Sequence, residues 1–232
     1  FFRGHAHHDA KRREPWSFGE PHTSRMRTAI ADRYAQLPYW YTVFAEARFE
    51  GLPVMRPLWA HFPDDPEALL VDDAWLVGHA LLVKPATAPG VDHVDVYLPA
   101  GADWFDAHLP AKTKRTGGAS HRVPAPLDGV APSFQRAGTV LPRQRRLRRS
   151  TAAMRSDPYE LTVALDAAKT AAGSLYVDDF ETFGFRTGDF HKATFTFADG
   201  TLVAAAADAC DARAHALGID KADAGAFAPT NV

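Results

Sequence analysis

Ile30-Ala31-Asp32-Arg33-Tyr34-Ala35-Gln36-Leu37-Pro38-Tyr39-Trp40-Tyr41-Thr42-Val43-Phe44 is the stretch that sets the architecture. Ile30, Tyr34, Leu37, Tyr41 and Phe44 fall three or four positions apart, which makes one face of a helix. The helix is expected over residues 24–50, with Thr23 or Ser24 as its N-cap and Gly51 followed by Pro53 as its stop. Pro38 removes a backbone donor and crowds the carbonyl of Tyr34, so the helix should kink or divide there. An aromatic face this wide needs a larger body to cover it, and most of that body is expected outside these residues.

After Gly51 the pattern turns from helix to strand. Residues 54–59, 80–83, 94–98, 104–106 and 138–141 read as strands separated by Gly and Pro, the spacing of a β-sandwich. A second β-rich block follows, with strands expected at 160–165, 174–177, 183–186 and 192–197 and a turn at Asp199-Gly200. From about Ala204 the chain is rich in Ala and Asp, with too little apolar bulk to order itself. Between the blocks lies Arg143-Gln144-Arg145-Arg146-Leu147-Arg148-Arg149. A basic run of this kind suggests an anion, nucleic-acid or nuclear-import patch. No aromatic is interleaved to stack on bases, so the preferred reading is a solvated linker with partly paired charges.

Composition narrows the classes further. The 232 residues are 46% hydrophobic and 23% charged, with a net charge of −2, an ordinary globular balance that favours neither nucleic acid nor an anionic membrane. No apolar run approaches the roughly 20 residues that cross a bilayer. Cys210 is the single cysteine and cannot form an internal disulfide. Residue 1 is Phe, and the chain opens in what reads as the end of a buried strand; we expect the C-terminal part of a longer polypeptide.

The chemistry concentrates at the front, in Phe1-Phe2-Arg3-Gly4-His5-Ala6-His7-His8-Asp9-Ala10-Lys11-Arg12-Arg13-Glu14-Pro15-Trp16. Burying such groups unpaired would cost several kcal/mol, so something polar is expected to be gripped here. Three readings stand. His5, His7, His8 and Asp9 could begin a metal site, since imidazole and carboxylate ligate zinc, but a complete ligand set is not visible. His5 and His7 could satisfy each other's surroundings in a polar core. Arg, neutral His, carboxylate and Trp together also suit a hydroxyl-rich ligand such as a sugar.

Phe2-Arg3-Gly4-His5 followed by Lys11-Arg12-Arg13-Glu14-Pro15-Trp16 resembles the glycoside hydrolase family 31 α-glucosidases. The similarity continues through Arg33 to Thr42, through Pro53-Val54-Met55-Arg56-Pro57-Leu58-Trp59, and through Leu82-Val83-Lys84-Pro85 and Val96-Tyr97-Leu98-Pro99. Leu141-Pro142-Arg143 and Arg148-Arg149-Ser150 extend it, and it covers about residues 1–200.

The resemblance implies an α+β fragment: the end of a (β/α)8 barrel with its closing helix, followed by two β-sandwich domains. Residues 1–52 would end the barrel, 53–150 form the proximal sandwich, 151–206 the distal one, and 207–232 a disordered tail. A barrel's site lies at the C-terminal ends of its strands, where Arg3 and His5 would emerge to bind the departing glucose. Retaining cleavage there uses one Asp as nucleophile and another as acid/base, neither identifiable in this chain, which alone should be inactive. The implied whole trims glucose from N-linked glycans in the endoplasmic reticulum lumen, and the resemblance also suggests a regulatory beta subunit as partner. It needs no metal or cofactor and has no nucleic-acid or membrane partner. The alternative is a non-catalytic carbohydrate-binding or structural sandwich module. Two stretches depart from the family pattern: residues 131–138, where an apolar strand into Arg-Gly-Gly is expected, and Asp178-Asp179-Phe180, where a turn favouring positive φ has lost its Gly.

Overall fold

The computed structural model describes residues 4–108 and 113–207. The helical stretch divides at the proline, as expected: α1 spans His22–Ala35 and α2 spans Leu37–Glu50. Pro38 occupies the first turn of α2, where its missing N–H costs nothing, and Gln36 ends α1 with its N–H on Arg33 O and Asp32 O. Gly51 ends α2 in the left-handed region at φ 74°, its N–H on Ala47 O at 3.1 Å. The N-terminal cap differs from expectation. Helix α1 begins at His22, and the Thr23 hydroxyl donates to Pro15 O and Gly19 O instead of capping. Glu20 performs that task, its Oε2 accepting from Ser24 N at 3.2 Å.

The expected apolar face of the helix is also corrected. The buried residues of α2 are Pro38, Tyr39, Thr42 and Val43, whereas Tyr41 is half-buried and Phe44 exposed. Apolar side chains occupy nearly every side of this helix, so spacing alone could not choose the one that faces the sheets.

The remainder is mostly β-structure. The strands are β1 (Met55–Arg56), β2 (Trp75–Val77), β3 (Leu81–Val83), β4 (His93–Leu98), β5 (Asp103–Asp106), β6 (Lys114–Thr116) and β7 (Ala119–Pro124). They continue with β8 (Ser133–Arg136), β9 (Thr139–Arg143), β10 (Glu160–Ala164), β11 (Ala171–Val177), β12 (His191–Ala198) and β13 (Thr201–Ala207). One sheet has six strands in the order β1-β2-β3-β8-β5-β6, and β4 pairs with β7 as a separate antiparallel ribbon. The other large sheet has the order β10-β9-β11-β12-β13, antiparallel apart from the β9–β11 neighbours.

Leu76 and Leu82 of the six-stranded sheet, with its Trp104 and Phe134, share a core with Val96, Leu98 and Val123 of the ribbon. On the opposite side, Tyr39 and Val43 of α2 pack with Val77, Leu81 and Leu141. A third core joins Val140, Ala171, Leu175 and Phe195 within the five-stranded sheet.

Several expected strands change identity. Residues 54–59 yield only the two-residue β1 and then a 3₁₀ turn, Leu58–Ala60. Residues 183–186 are not a strand: Phe183 precedes the 3₁₀ turn Gly184–Thr187, which is closed by Gly188 at φ 92°. The alanines at 204–207 form the end of β13, because their backbone completes a ladder with β12 across the Asp199-Gly200 turn. Both turn residues have positive φ, 51° and 77°, as a tight hairpin requires. The rest of the expected tail lies outside the described residues.

Strand β9 follows β8 after a two-residue turn yet belongs to the other sheet. The buried Gln135 side chain ties the two sheets together, donating to Thr139 O at 3.1 Å and Thr162 O at 3.0 Å. Helix α2 also touches both. The Tyr39 hydroxyl donates to Val77 O at 2.7 Å and accepts from Ala80 N at 3.2 Å, while Thr42 Oγ1 accepts from Tyr176 N at 3.0 Å.

Candidate functional site

From Gly4 to Glu14 the opening segment has no helix or strand, only a turn with Ala10 N on His7 O at 2.9 Å. Arg3, one of the two residues expected to bind substrate, lies outside the described residues, as do the aromatics Phe1 and Phe2. His5, the other, is exposed. His7 is exposed as well.

His7 and Asp9 form a local pair, Nδ1 to Oδ1 at 2.5 Å, and the His7 and His8 ring centroids are 4.2 Å apart. One ligand atom from each of His7, His8 and Asp9 lies within 4.8 Å of the others. The three are therefore neighbours, but His5 is not in that group. Farther along, Arg12 pairs with Glu14 at 3.5 Å and Ser17 donates to the same carboxylate at 3.3 Å. Trp16, in the 3₁₀ turn Pro15–Phe18, keeps 72% of its surface exposed, so its aromatic face is open to a ligand or to another protein surface.

The fold then adds neighbours that spacing did not show. Trp16, Arg27, Ile30 and Tyr34 line a cleft of about 350 Å³ together with Leu147, Arg148 and Arg149. The arginine run is thus not a free linker along its length. Arg143 is buried at the end of β9 and donates from Nη2 to Ala107 O at 3.0 Å. The Gln144 side chain, also buried, donates to Met154 O and Asp157 O. Arg148 grips Asp157 with two bonds, Nε to Oδ2 at 2.8 Å and Nη2 to Oδ1 at 2.5 Å, and holds that carboxyl below its usual range. Arg145 pairs with Glu160 at 3.0 Å, so the expected partial pairing of charges does occur. The signal for the cleft lay in the Arg148-Arg149-Ser150 motif, but nothing in the sequence said that it meets Trp16.

The second departure from the family pattern is a strained turn. Phe180 takes φ 60°, a value that glycine adopts freely and phenylalanine does not. Carboxylates hold it in place. Asp178 accepts from Phe180 N at 2.9 Å and from the Tyr41 hydroxyl at 2.7 Å, while Asp179 accepts from Glu181 N and Thr182 N. Residues 131–138, the first departure, contain β8 and are hydrogen-bonded on both sides to β3 and β5.

Two stretches of the chain match family models. Residues 1–43 match the glycosyl hydrolases family 31 TIM-barrel domain, and residues 51–141 match the glycosyl hydrolase family 31 C-terminal domain. A probable glucan 1,3-alpha-glucosidase of Arabidopsis thaliana is 48% identical over 202 residues, 87% of this chain and 22% of that protein. Neutral alpha-glucosidase AB of Homo sapiens is 44% identical over 210 residues, 90% of this chain and 22% of that protein. The chain therefore spans a little over a fifth of these relatives' length. Among solved structures, a glucosidase II alpha subunit bound to alpha3-Glc2 superposes with a TM-score of 0.83 at 36% identity, covering 90% of this chain and 23% of that one. A structure of an ER glucosidase II heterodimeric complex, of catalytic subunit and the binding domain of the regulatory subunit, gives a TM-score of 0.84 at 36% identity, covering 90% of this chain and 22% of that one.

Proposed function

The chain belongs to glycoside hydrolase family 31, and from that premise we propose that it works as part of a retaining α-glucosidase trimming glucose from N-linked glycans. The observation that carries this reading is the order of the two family matches, barrel end and then C-terminal domain, with strong similarity to α-glucosidases along most of the chain. In this reading residues 1–52 end the barrel, 53–150 form a proximal β-sandwich and 151–206 a distal one. The core shared by the six-stranded sheet and the β4–β7 ribbon supports the first sandwich.

Arg3 and His5 bind the glucose that leaves. An exposed imidazole can reach a sugar hydroxyl, and His5 lies outside the three packed cores, so its replacement is expected to leave the fold intact. The bond to a hydroxyl accelerates cleavage only if it strengthens as the ring flattens toward the oxocarbenium-like transition state. Two carboxylates perform the chemistry as nucleophile and acid/base, supplied by barrel sequence beyond these residues. The likeness to the glucosidase II alpha subunit supports a regulatory beta subunit as partner and residence in the endoplasmic reticulum lumen. No helix among the described residues is long and apolar enough to cross a membrane.

The test compares the intact enzyme with this chain. The intact enzyme should release glucose from an α-1,3-linked glucosyl substrate with retention of anomeric configuration, and the 232-residue chain should release none. Release of glucose by the purified chain, tracking it through purification, would overturn the assignment of the catalytic carboxylates. Inversion by the intact enzyme would overturn the mechanism.

A further inference from the structure

A second polar cleft, of about 730 Å³, opens between the two large sheets and shares no lining residue with the opening segment. Its walls come from the turn between β2 and β3 (His79), from β5 and β6 (Asp103, Thr116), from the β8–β9 turn (Arg136) and from the turn after β10 (Asp166). Arg136 is the unusual member. Its guanidinium sits 4.7 Å from the Phe62 ring centroid, and burial pushes its pKa down. Among the described residues it has no side-chain hydrogen bond or ion pair. Its nitrogens are also not among the sealed orphan donors, which include Arg56 Nη2 and Arg143 Nε, so they remain open to the cleft.

The groups around it leave that guanidinium without a hydrogen-bonding partner. His79 likewise lacks a side-chain hydrogen bond among the described residues. Burial, and then His61, Arg56 and Arg136, push its pKa down to about 4. The two carboxylates of the cleft are already engaged. Asp103 lies 2.6 Å from Lys114 Nζ, and Asp166 accepts from Thr170 N and Thr170 Oγ1, each at 2.8 Å. What the cleft leaves unsatisfied is a forked cation, in a wall shared with an imidazole that burial first, and neighbouring cations second, keep neutral. A planar or tetrahedral oxyanion matches that fork and can accept two charge-assisted bonds from it, which a neutral hydroxyl could not.

We propose that this cleft binds a small oxyanion, a carboxylate or phosphate group, through Arg136 and His79. The proposal goes beyond the glycosidase reading and does not depend on it. An anion seated there would stabilise the protonated ring of His79 and so raise its pKa toward the ordinary histidine value.

The experiment follows the His79 ring by NMR in the histidine-labelled protein during titration with inorganic phosphate and, separately, with acetate. Chloride holds the ionic strength constant so that screening does not change. The expected result is a saturable shift of His79, with its pKa raised, for at least one of the two ions. Saturation by phosphate alone assigns a phosphate group, and saturation by acetate alone a carboxylate. Arg136→Gln should weaken binding by about tenfold or more, and Arg136→Lys by less, because the charge remains while the fork is lost. Should Arg136→Gln not fold, His79→Gln takes its place, and the saturable rise in Tm given by the same ion should shrink. Linear, non-saturating behaviour of His79 with both ions would overturn the proposal, as would equal affinity in wild type and Arg136→Gln. Glucose release is not measured, so failure here says nothing against the glycosidase assignment.

Discussion

Helix α2 and the opening segment are near neighbours in sequence and opposites in physical character. On α2, Tyr39 and Val43 are buried, and the helix bonds to the six-stranded sheet through Tyr39 and to the five-stranded sheet through Thr42. The opening segment bonds mainly to itself, through His7 with Asp9, Arg12 with Glu14, and Ser17 with Glu14, and most of its side chains are exposed. A clamp of the first kind converts side-chain changes into lost stability. A segment of the second kind can change side chains at little cost to the fold, which is where binding groups are expected to reside. The contrast can be broken by finding stability in the opening segment or function in the clamp.

The largest effect should come from Gly78→Ala. Gly78 has φ 60°, and an added Cβ would stand 2.6 Å from Tyr39 Oη and 2.8 Å from Val43 Cγ2. Strain and overpacking combine, and the loss in denaturant unfolding should be about 3–4 kcal/mol. A neutral substitution would mean that α2 is not held tightly against the sheet.

Next is the acid limb of stability. The folded pKa of His79 is lowered from 6.5 to about 4, chiefly by burial, so the unfolded chain takes up its proton first as pH falls. This contribution is fully present above pH 6.5 and disappears as pH drops toward 4, about 3 kcal/mol in all. The stability difference between pH 7 and pH 4 should shrink in His79→Gln relative to wild type. Parallel pH profiles would show that the ring is not protected from protonation.

Tyr39→Phe removes a hydroxyl that serves both Val77 O and Ala80 N. It should cost about 2 kcal/mol, with both backbone groups left in the core. A smaller effect is expected at Phe180. There the comparison is between two replacements, because either one loses the ring contact with Tyr41 at 5.2 Å. Phe180→Gly should be more stable than Phe180→Ala by about 1 kcal/mol, since only glycine takes the positive φ without strain. Equal stabilities would argue that the turn relaxes once the ring is gone.

The clamp and the opening segment also differ in how far they could be read from sequence. Pro38 and Gly51 act on their own backbone, so the division into two helices and the end of the second were legible. The same holds for Asp199-Gly200 and for the positive φ at Phe180. What α2 packs against was not legible, because Tyr39, Tyr41, Val43 and Phe44 are all apolar and only the sheets decide which are covered. The alanines of β13 carry no pattern at all; the ladder offered by β12 makes them a strand. Arg143 and Gln144 looked like linker residues, yet carbonyls from distant positions bury them. In the opening segment, residue types and motif resemblance marked His5. Trp16 meets Arg148 and Arg149 only through the fold.

The central claim is that the exposed opening segment carries function while the clamp carries stability, and His5→Ala in the intact enzyme tests it most directly. Measured alongside Tm and against His8→Ala, it should lower kcat/KM roughly 10- to 150-fold, the worth of one bond strengthened in the transition state, while Tm stays at the wild-type value. His8→Ala should lower kcat/KM far less. Wild-type kcat/KM in His5→Ala, or a loss of activity that follows a loss of Tm, would contradict the account.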